Sequence, residues 1–266
     1  MRILKIEKPD SPGVTLTAYL PDEVMQGYPP RPCVLILPGG GYRFVSPREG
    51  EPVALRFAAE GFHACVLQYS VSEDSVFPTA LCDVLWAMAV IRSHSLEWHL
   101  DPAKIAVCGF SAGGHLAACL GAFWKRGTYL NLAGVTEDLA KPNALILCYP
   151  VITSGVYAHT GSFEALLGKN YGNPGQMEAL SLEKQVTHDM PPCFLWHTAD
   201  DGTVPVQNTL LFASALSAHR VPYELRIFES GPHGLSLGIT CTSLQDHPAR
   251  MWFSLAADWL KRKFAC

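Results

Sequence analysis

The chain has 266 residues, 48% of them hydrophobic and 17% charged, with 20 prolines and 22 glycines scattered along it, a composition that excludes a disordered tail or a repeat array. A net charge of -4 without a dense Lys/Arg cluster excludes the electrostatic footprint of a nucleic-acid partner. The length suits an α/β fold around one sheet, so a single domain over residues 1–266 is expected.

The start, "MRILKIEKPDSPG", carries Arg2, Lys5, Glu7 and Lys8, which interrupt any apolar signal-peptide core. No later stretch approaches a membrane span, so a cytoplasmic protein with no membrane partner is expected. Residues 3–6, 14–20 and 33–37 then read as strands. Residues 52–60 read as a helix opened by Pro52 and closed by Gly61. A strand at 63–69 follows, and a helix from Pro78 to His94 puts Leu81, Leu85, Met88 and Ile91 on one stripe. Residues 105–110 form a strand that leads into a helix of small residues, and further strands lie at 144–149, 193–197 and 223–228. Pro205 opens a helix running toward His219, and Pro248 opens a last one with Met251, Trp252, Leu255 and Trp259. Most of the later strands lack polar alternation and are expected to be buried on both faces, as in a parallel sheet covered by helices. Alternating strands and helices predict a doubly wound α/β sandwich.

Residues 125–141 and 152–189 break this rhythm, being rich in Gly, Asn, Thr, Tyr and His without clean periodicity. The second is expected to lie like a lid over the C-terminal ends of the strands. Its aromatic residues leave room for an interface between copies, a homo-oligomer. Nine cysteines, an odd number with no C-x-x-C pair or zinc-ligand spacing, read as reduced structural thiols in a reducing compartment.

Chemistry concentrates at "KIAVCGFSAGGHLAACLGAF", residues 104–123. The strand runs into Gly109-Phe110-Ser111-Ala112-Gly113, which is G-x-S-x-G in the strand–turn–helix setting that the motif requires. A sharp turn puts Ser111 in strained backbone geometry, and side chains at the flanking glycines would collide with neighbouring elements. Ser111 is the candidate nucleophile, above a helix N-terminus whose free N–H groups favour an oxyanion. His115, one turn further on, reads as structural. Three glycines after the strand in "CVLILPGGGYRFVSPREGEP" match neither a G-x-G-x-x-G nor a G-K-[ST] phosphate loop. Gly40 and Gly41 are instead expected to form an oxyanion hole with the Ala112 N–H.

A serine nucleophile needs a base, and the base needs an acceptor that sets its tautomer. His233, in the loop "FESGPHGLSLG" after the strand at 223–228, suits the base. His63 and His197 lie in strand-like runs, His94, His99 and His219 near helix ends, and His159, His188 and His247 read as surface or lid residues. The acceptor is sought in "FLWHTADDGTVP", where Asp200 and Asp201 stand side by side just past a strand. Either could serve the base, or both could cap the helix at Pro205.

Four stretches in this order, "LPGGGYRFVSPREGEPVALRFAAEGFHACVLQYSV", "DPAKIAVCGFSAGGHLAA", "HTADDGTVPVQNTLLF" and "PHGLSLG", together resemble the α/β-hydrolase superfamily, and most closely its bacterial acetyl-esterase branch, the xylan and xylo-oligosaccharide acetylesterases. The likeness extends from about residue 34 to residue 260. It implies an α/β-hydrolase fold with a mainly parallel eight-stranded sheet, helices on both faces and a small insertion at 152–189. It also implies Ser111 as nucleophile, His233 as base and, by the family's A-D-x-x-V-P pattern, Asp200 as acid, leaving Asp201 to face solvent or cap the next helix. Two departures touch substrate choice. Pro38 stands where the lipase-type H-G-G-G loop has His, and Ser70 stands where relatives commonly have Arg.

The expected activity is hydrolysis of short-chain acyl esters, acetyl above all, of small molecules or acetylated oligosaccharides, with no metal and no organic cofactor. A prolyl-oligopeptidase-type peptidase shares the motifs but usually carries a large extra domain. An arylformamidase-like amide hydrolase shares size and topology, and a non-catalytic binding protein on this fold would be expected to lack a triad member.

Overall fold

Runs of Val, Ile, Leu and Cys with no polar alternation form the middle of one eight-stranded sheet in the computed structural model, which describes residues 1–9, 11–23, 27–72 and 76–265. Its strands are β1 (Arg2–Glu7), β2 (Thr15–Leu20), β3 (Arg31–Leu37), β4 (His63–Gln68), β5 (Leu100–Phe110), β6 (Ala144–Cys148), β7 (Cys193–Thr198) and β8 (Tyr223–Phe228). They lie in the order β1-β2-β4-β3-β5-β6-β7-β8. β2 is antiparallel to both its neighbours, and every pairing from β4 to β8 is parallel. This is the mainly parallel sheet that the sequence predicts. β5 begins earlier than its apolar run because Leu100 pairs with Arg31 across an irregularity in register, which carries the strand through Asp101 and Pro102.

Residues alternate between two cores along each central strand, as the two-residue strand period demands. Cys33, Leu35 and Leu37 of β3 join one hydrophobic cluster, whereas Val34 and Ile36 join the other. The first cluster packs under α2 (Thr79–Ser93), α3 (Ala112–Phe123) and α8 (Gln207–Ala218), and the second under α1 (Glu51–Ala59) and α9 (Met251–Phe264). Each fully buried aliphatic or Phe side chain contributes about 1.5–3 kcal/mol, so both faces of the sheet are strong sources of stability.

The two segments without periodicity contain short helices: α4 (Gly127–Ala133) and α5 (Glu137–Ala140) in the first, α6 (Thr160–Leu167) and α7 (Pro174–Ala179) in the second. None exceeds 8 residues, too few turns to establish a 3.6-residue repeat. No helix of the described residues is long and apolar enough to cross a membrane. The eight described cysteines are free thiols, six of them buried, while Cys266 lies outside the described residues.

Because β3, β5, β6, β7 and β8 run the same way, the loops after Leu37, Phe110, Cys148, Thr198 and Phe228 meet at one edge of the sheet. Open parallel sheets place their ligand crevices there.

Candidate active site

At the end of β5 the chain turns directly into α3 through Ser111, whose φ of 54° and ψ of -118° are unusual for an L-residue. Three backbone bonds fix it there. The Ser111 N–H donates to the Cys148 carbonyl (3.0 Å), and the Ser111 carbonyl accepts from His115 and Val151 (3.1 Å each). The flanking glycines are a steric requirement: a Cβ on Gly109 would lie 2.2 Å from the Gly113 carbonyl oxygen, and one on Gly113 would lie 2.1 Å from that of Leu37. The G-x-S-x-G spacing therefore follows from the close approach of strand, helix and neighbouring loop.

Ser111 Oγ lies 2.8 Å from Nε2 of His233, and His233 Nδ1 lies 2.7 Å from Oδ2 of Asp201. An ionised carboxylate only accepts, so Nδ1 carries the proton and the Nε2 lone pair is left for the serine hydroxyl. Asp201 is buried, and its second oxygen accepts the N–H groups of Thr203 and Val204 at 2.9 Å each. His197, fully buried below it, brings Nε2 to 3.3 Å from the same Oδ2 that faces His233. That nitrogen also donates to the Val204 carbonyl at 2.9 Å, while Nδ1 accepts from Thr209 at 2.7 Å. Burial works to raise the Asp201 pKa, but hydrogen bonds from His197, His233 and the Val204 backbone prevail and hold the carboxyl well below its usual range.

The expectation that Asp200 would meet the histidine is corrected here. Asp200 is exposed, and its Oδ1 accepts the N–H of Gly231 at 2.7 Å instead. Its neighbour turns inward because the Asp201 N–H bonds back to Thr198 and its carboxylate closes the turn onto Thr203 and Val204. The A-D-x-x-V-P pattern was anchored at Ala199. Counted back from Val204-Pro205, the aspartate followed by two residues is Asp201, with Gly202 and Thr203 between. Asp201 also closes the turn toward α8, so one side chain makes both the contact with His233 and the turn contacts that the sequence reading divided between two.

Ser111 and His233 line a cavity of ≈ 730 Å³ together with Gly40, Gly41, Phe44 and His159. Gly40 has a φ of +132°, open to glycine but rarely to other residues. Among the described residues no protein acceptor faces the N–H groups of Gly40, Gly41 or Ala112. Phe44 is 59% exposed at the cavity, an open apolar face. His159, which the sequence reading put on the surface or lid, is half-buried and bonds Ser162 Oγ through Nδ1 at 2.8 Å. Burial, then the nearby His233 and Arg43 charges, lower its pKa. His115, by contrast, is fully buried between the Tyr42 hydroxyl (2.8 Å) and the Leu180 carbonyl (2.9 Å), and burial lowers its pKa to about 4. Among the described residues no group of three or more His, Cys, Asp or Glu is placed to hold a metal ion.

The BD-FAE family matches residues 16–216, most of the chain. The chain belongs to the BD-FAE family. It has the α/β-hydrolase fold of its structural relatives, and a crystal structure of an acetyl ester-xyloside bifunctional hydrolase from Caldicellulosiruptor lactoaceticus is 38% identical with a TM-score of 0.82, over 97% of this chain and 91% of that one. The BD-FAE chain is also 36% identical over 230 residues to endo-1,4-beta-xylanase B of Butyrivibrio fibrisolvens, covering 84% of this chain and 34% of the relative. It is 28% identical over 235 residues to an acetylxylan esterase of Xylanibacter ruminicola, covering 86% of this chain and 45% of the relative. The chain thus spans less than half the length of these two curated relatives.

Sequence reasoning on the BD-FAE chain also missed Glu49 and Tyr149, both buried beside the site, and the contact of His197 with Asp201. The signal available for Glu49 was a carboxylate placed right after the glycine loop, in "GGGYRFVSPREGEP".

Proposed function

We propose that this protein is a serine carboxylesterase that removes short acyl groups, acetyl above all, from carbohydrate-type alcohols by way of an acyl-enzyme. The observation that carries the reading is the continuous line Ser111 Oγ, His233 and Asp201, with links of 2.8 and 2.7 Å, opening into one cavity.

Ser111 attacks the ester carbonyl while Nε2 of His233 takes its proton. Asp201, held as a carboxylate, orients the imidazole and stabilises the imidazolium. The oxyanion forms against the N–H groups of Gly40, Gly41 and Ala112, and the imidazolium then protonates the leaving alcohol. Water repeats the sequence on the acyl-enzyme. The names of the xylan-directed relatives support a sugar alcohol, and so does a cavity of ≈ 730 Å³, far larger than an acetyl group needs, with an exposed Phe44 on which a sugar ring can pack. The chain works as one catalytic domain in this reading, and residues 152–189 form a lid-like wall through His159 and Gly161 at the cavity.

The test compares p-nitrophenyl acetate, butyrate and octanoate with an acetylated xylo-oligosaccharide and N-formylkynurenine, using Ser111→Ala as the blank. The highest kcat/KM is expected on acetyl esters, with the oligosaccharide turned over. Hydrolysis of N-formylkynurenine alone would replace esterase with formamidase, and no Ser111-dependent turnover of any ester would refute the reading.

A further inference from the structure

Glu49 is 2% exposed and has no cation within ion-pair distance among the described residues, although it stands beside the proposed oxyanion loop. A carboxylate buried without a counter-ion costs stability, and a core selected for stability alone does as well or better with apolar packing there. What Glu49 holds explains its presence. Its Oε2 accepts the N–H of Gly39 at 2.8 Å, at the root of the glycine loop. Its Oε1 accepts the hydroxyl of Tyr149 at 2.7 Å, just past the end of β6.

The chain of contacts goes on to the base. The Tyr149 oxygen accepts the N–H of Ser236 at 2.8 Å, and the Tyr149 ring packs edge-on against the His233 ring with centroids 5.0 Å apart. Ser236 Oγ donates to the Arg48 carbonyl at 2.6 Å, returning to the residue beside Glu49 and closing a ring of hydrogen bonds. The Ser236 carbonyl accepts from the Trp252 indole at 2.8 Å. Tyr149 and Ser236 both have positive φ, 38° and 54°, and both are buried. Unusual backbone of this kind persists only where its surroundings over-determine it, and it clusters at functional sites. Between Phe228 and Pro248 the loop that carries His233 has no regular secondary structure of its own, so its placement depends on such tethers. Burial and the Glu49 charge raise the Tyr149 pKa well above its ordinary value, which keeps the hydroxyl a donor.

We propose that Glu49 is a positioning residue that ties the glycine loop to the His233 loop through Tyr149, so that oxyanion donors and base keep one fixed relation to Ser111. The inference rests on the esterase reading. Glu49 lies in the wall of the same cavity as Ser111, 2% exposed, but neither it nor Tyr149 is assigned contact with substrate: they act through Gly39 and His233.

The test uses the full chain with Glu49→Gln, Tyr149→Phe and the double variant, each first shown to be folded by near-UV circular dichroism and thermal melting. For p-nitrophenyl acetate, kcat is expected to fall on the order of 10- to 100-fold in each single variant, the scale of a small misplacement of reacting groups, with KM within about threefold. Labelling of Ser111 by a fluorophosphonate should slow by a similar factor. The double variant should be no worse than the poorer single one, because both break the same tether. Folded variants with wild-type kcat would overturn the proposal, as would losses that multiply or a rise in KM with kcat intact. If Glu49→Gln does not fold, Tyr149→Phe decides alone, since it deletes one hydroxyl, and an unchanged kcat there overturns the proposal. Wild-type protein that neither hydrolyses esters nor labels at Ser111 would instead refute the esterase reading, an outcome separate from unchanged variants of an active enzyme.

Discussion

The serine turn puts Ser111 into the cavity and the aspartate turn puts Asp201 behind the His233 that lines it, yet different forces fix the two. At the serine turn the backbone leaves no choice, since Cβ atoms on Gly109 and Gly113 would fall 2.2 and 2.1 Å from carbonyl oxygens. At the aspartate turn the packing accepts a carboxylate at either of two adjacent positions, and direction alone separates them. Asp201 points inward to His233 and His197, and Asp200 outward to the Gly231 N–H. Steric exclusion restricts residue types and so leaves a motif at the serine itself, whereas side-chain direction at a strand exit does not mark the aspartate, which only its spacing from Val204-Pro205 singles out.

The comparison breaks first if Ser111 is not the nucleophile. Ser111→Ala is expected to reduce ester hydrolysis to the blank in a p-nitrophenyl acetate assay of purified protein, and substantial residual turnover would remove the basis for reading either turn as catalytic. Next in size is Asp201→Asn, which offers His233 an amide that can present N–H where the imidazole needs an acceptor. A loss of roughly 10³- to 10⁴-fold in kcat is expected, as for a triad with the wrong tautomer, with KM far less affected.

This contrast also explains what was legible in the sequence. The central strands could be read because Cys33 to Leu37, Ile105 to Phe110 and Ala144 to Cys148 are apolar on both faces, which only a doubly covered sheet accommodates. Ser111 and His233 could be located because glycines crowd the turn of one and a loop past a strand holds the other. The choice between Asp200 and Asp201 could not be made from the strand exit, where neighbouring residues point in opposite directions and the inward one depends on where the strand stops; only the spacing counted back from Val204-Pro205 favours Asp201. Glu49 and Tyr149 were hidden for another reason: their partners, Gly39 and Ser236, contribute backbone N–H groups, which every non-proline residue has.

A third prediction returns to the serine turn. Gly113→Ala puts a methyl 2.1 Å from the Leu37 carbonyl oxygen, a backbone atom that cannot rotate away. Overpacking of this kind costs about 1–3 kcal/mol, which for a chain of this size lowers Tm by about 2–12 °C. Thermal melting followed by circular dichroism measures it, and an unchanged Tm would mean that the close approach of α3 and β3 does not dictate the glycine.

The fourth prediction tests the Asp201 carboxylate through pH. Its folded-state pKa is depressed, so its stabilising contribution is complete above the unfolded aspartate value, about 3.9, and is lost as pH falls through the lower folded value. The stability gap between wild type and Asp201→Asn, from urea midpoints at pH 2 to 6, should therefore narrow below about pH 4. A gap that stays constant or widens on acidification would show that His197 and His233 do not favour the charged form.

The smallest expected effect is the most direct measure of the difference between the two carboxylates. Asp200→Asn keeps an oxygen that can accept the Gly231 N–H, and it loses only the charge on a bond made at an exposed side chain. A hydrogen bond of that kind has a net worth of about 0.5–1.5 kcal/mol, and its weakening would loosen the approach to His233 without removing a group that His233 needs. A loss of kcat below about fivefold is therefore expected, against the thousands expected at Asp201. Equal losses at the two positions would mean that the turn acts as one unit and that inward direction carries no special role. A larger loss at Asp200 would return the acid to the outward carboxylate and make the bond between Asp201 and His233 a feature of the resting protein alone.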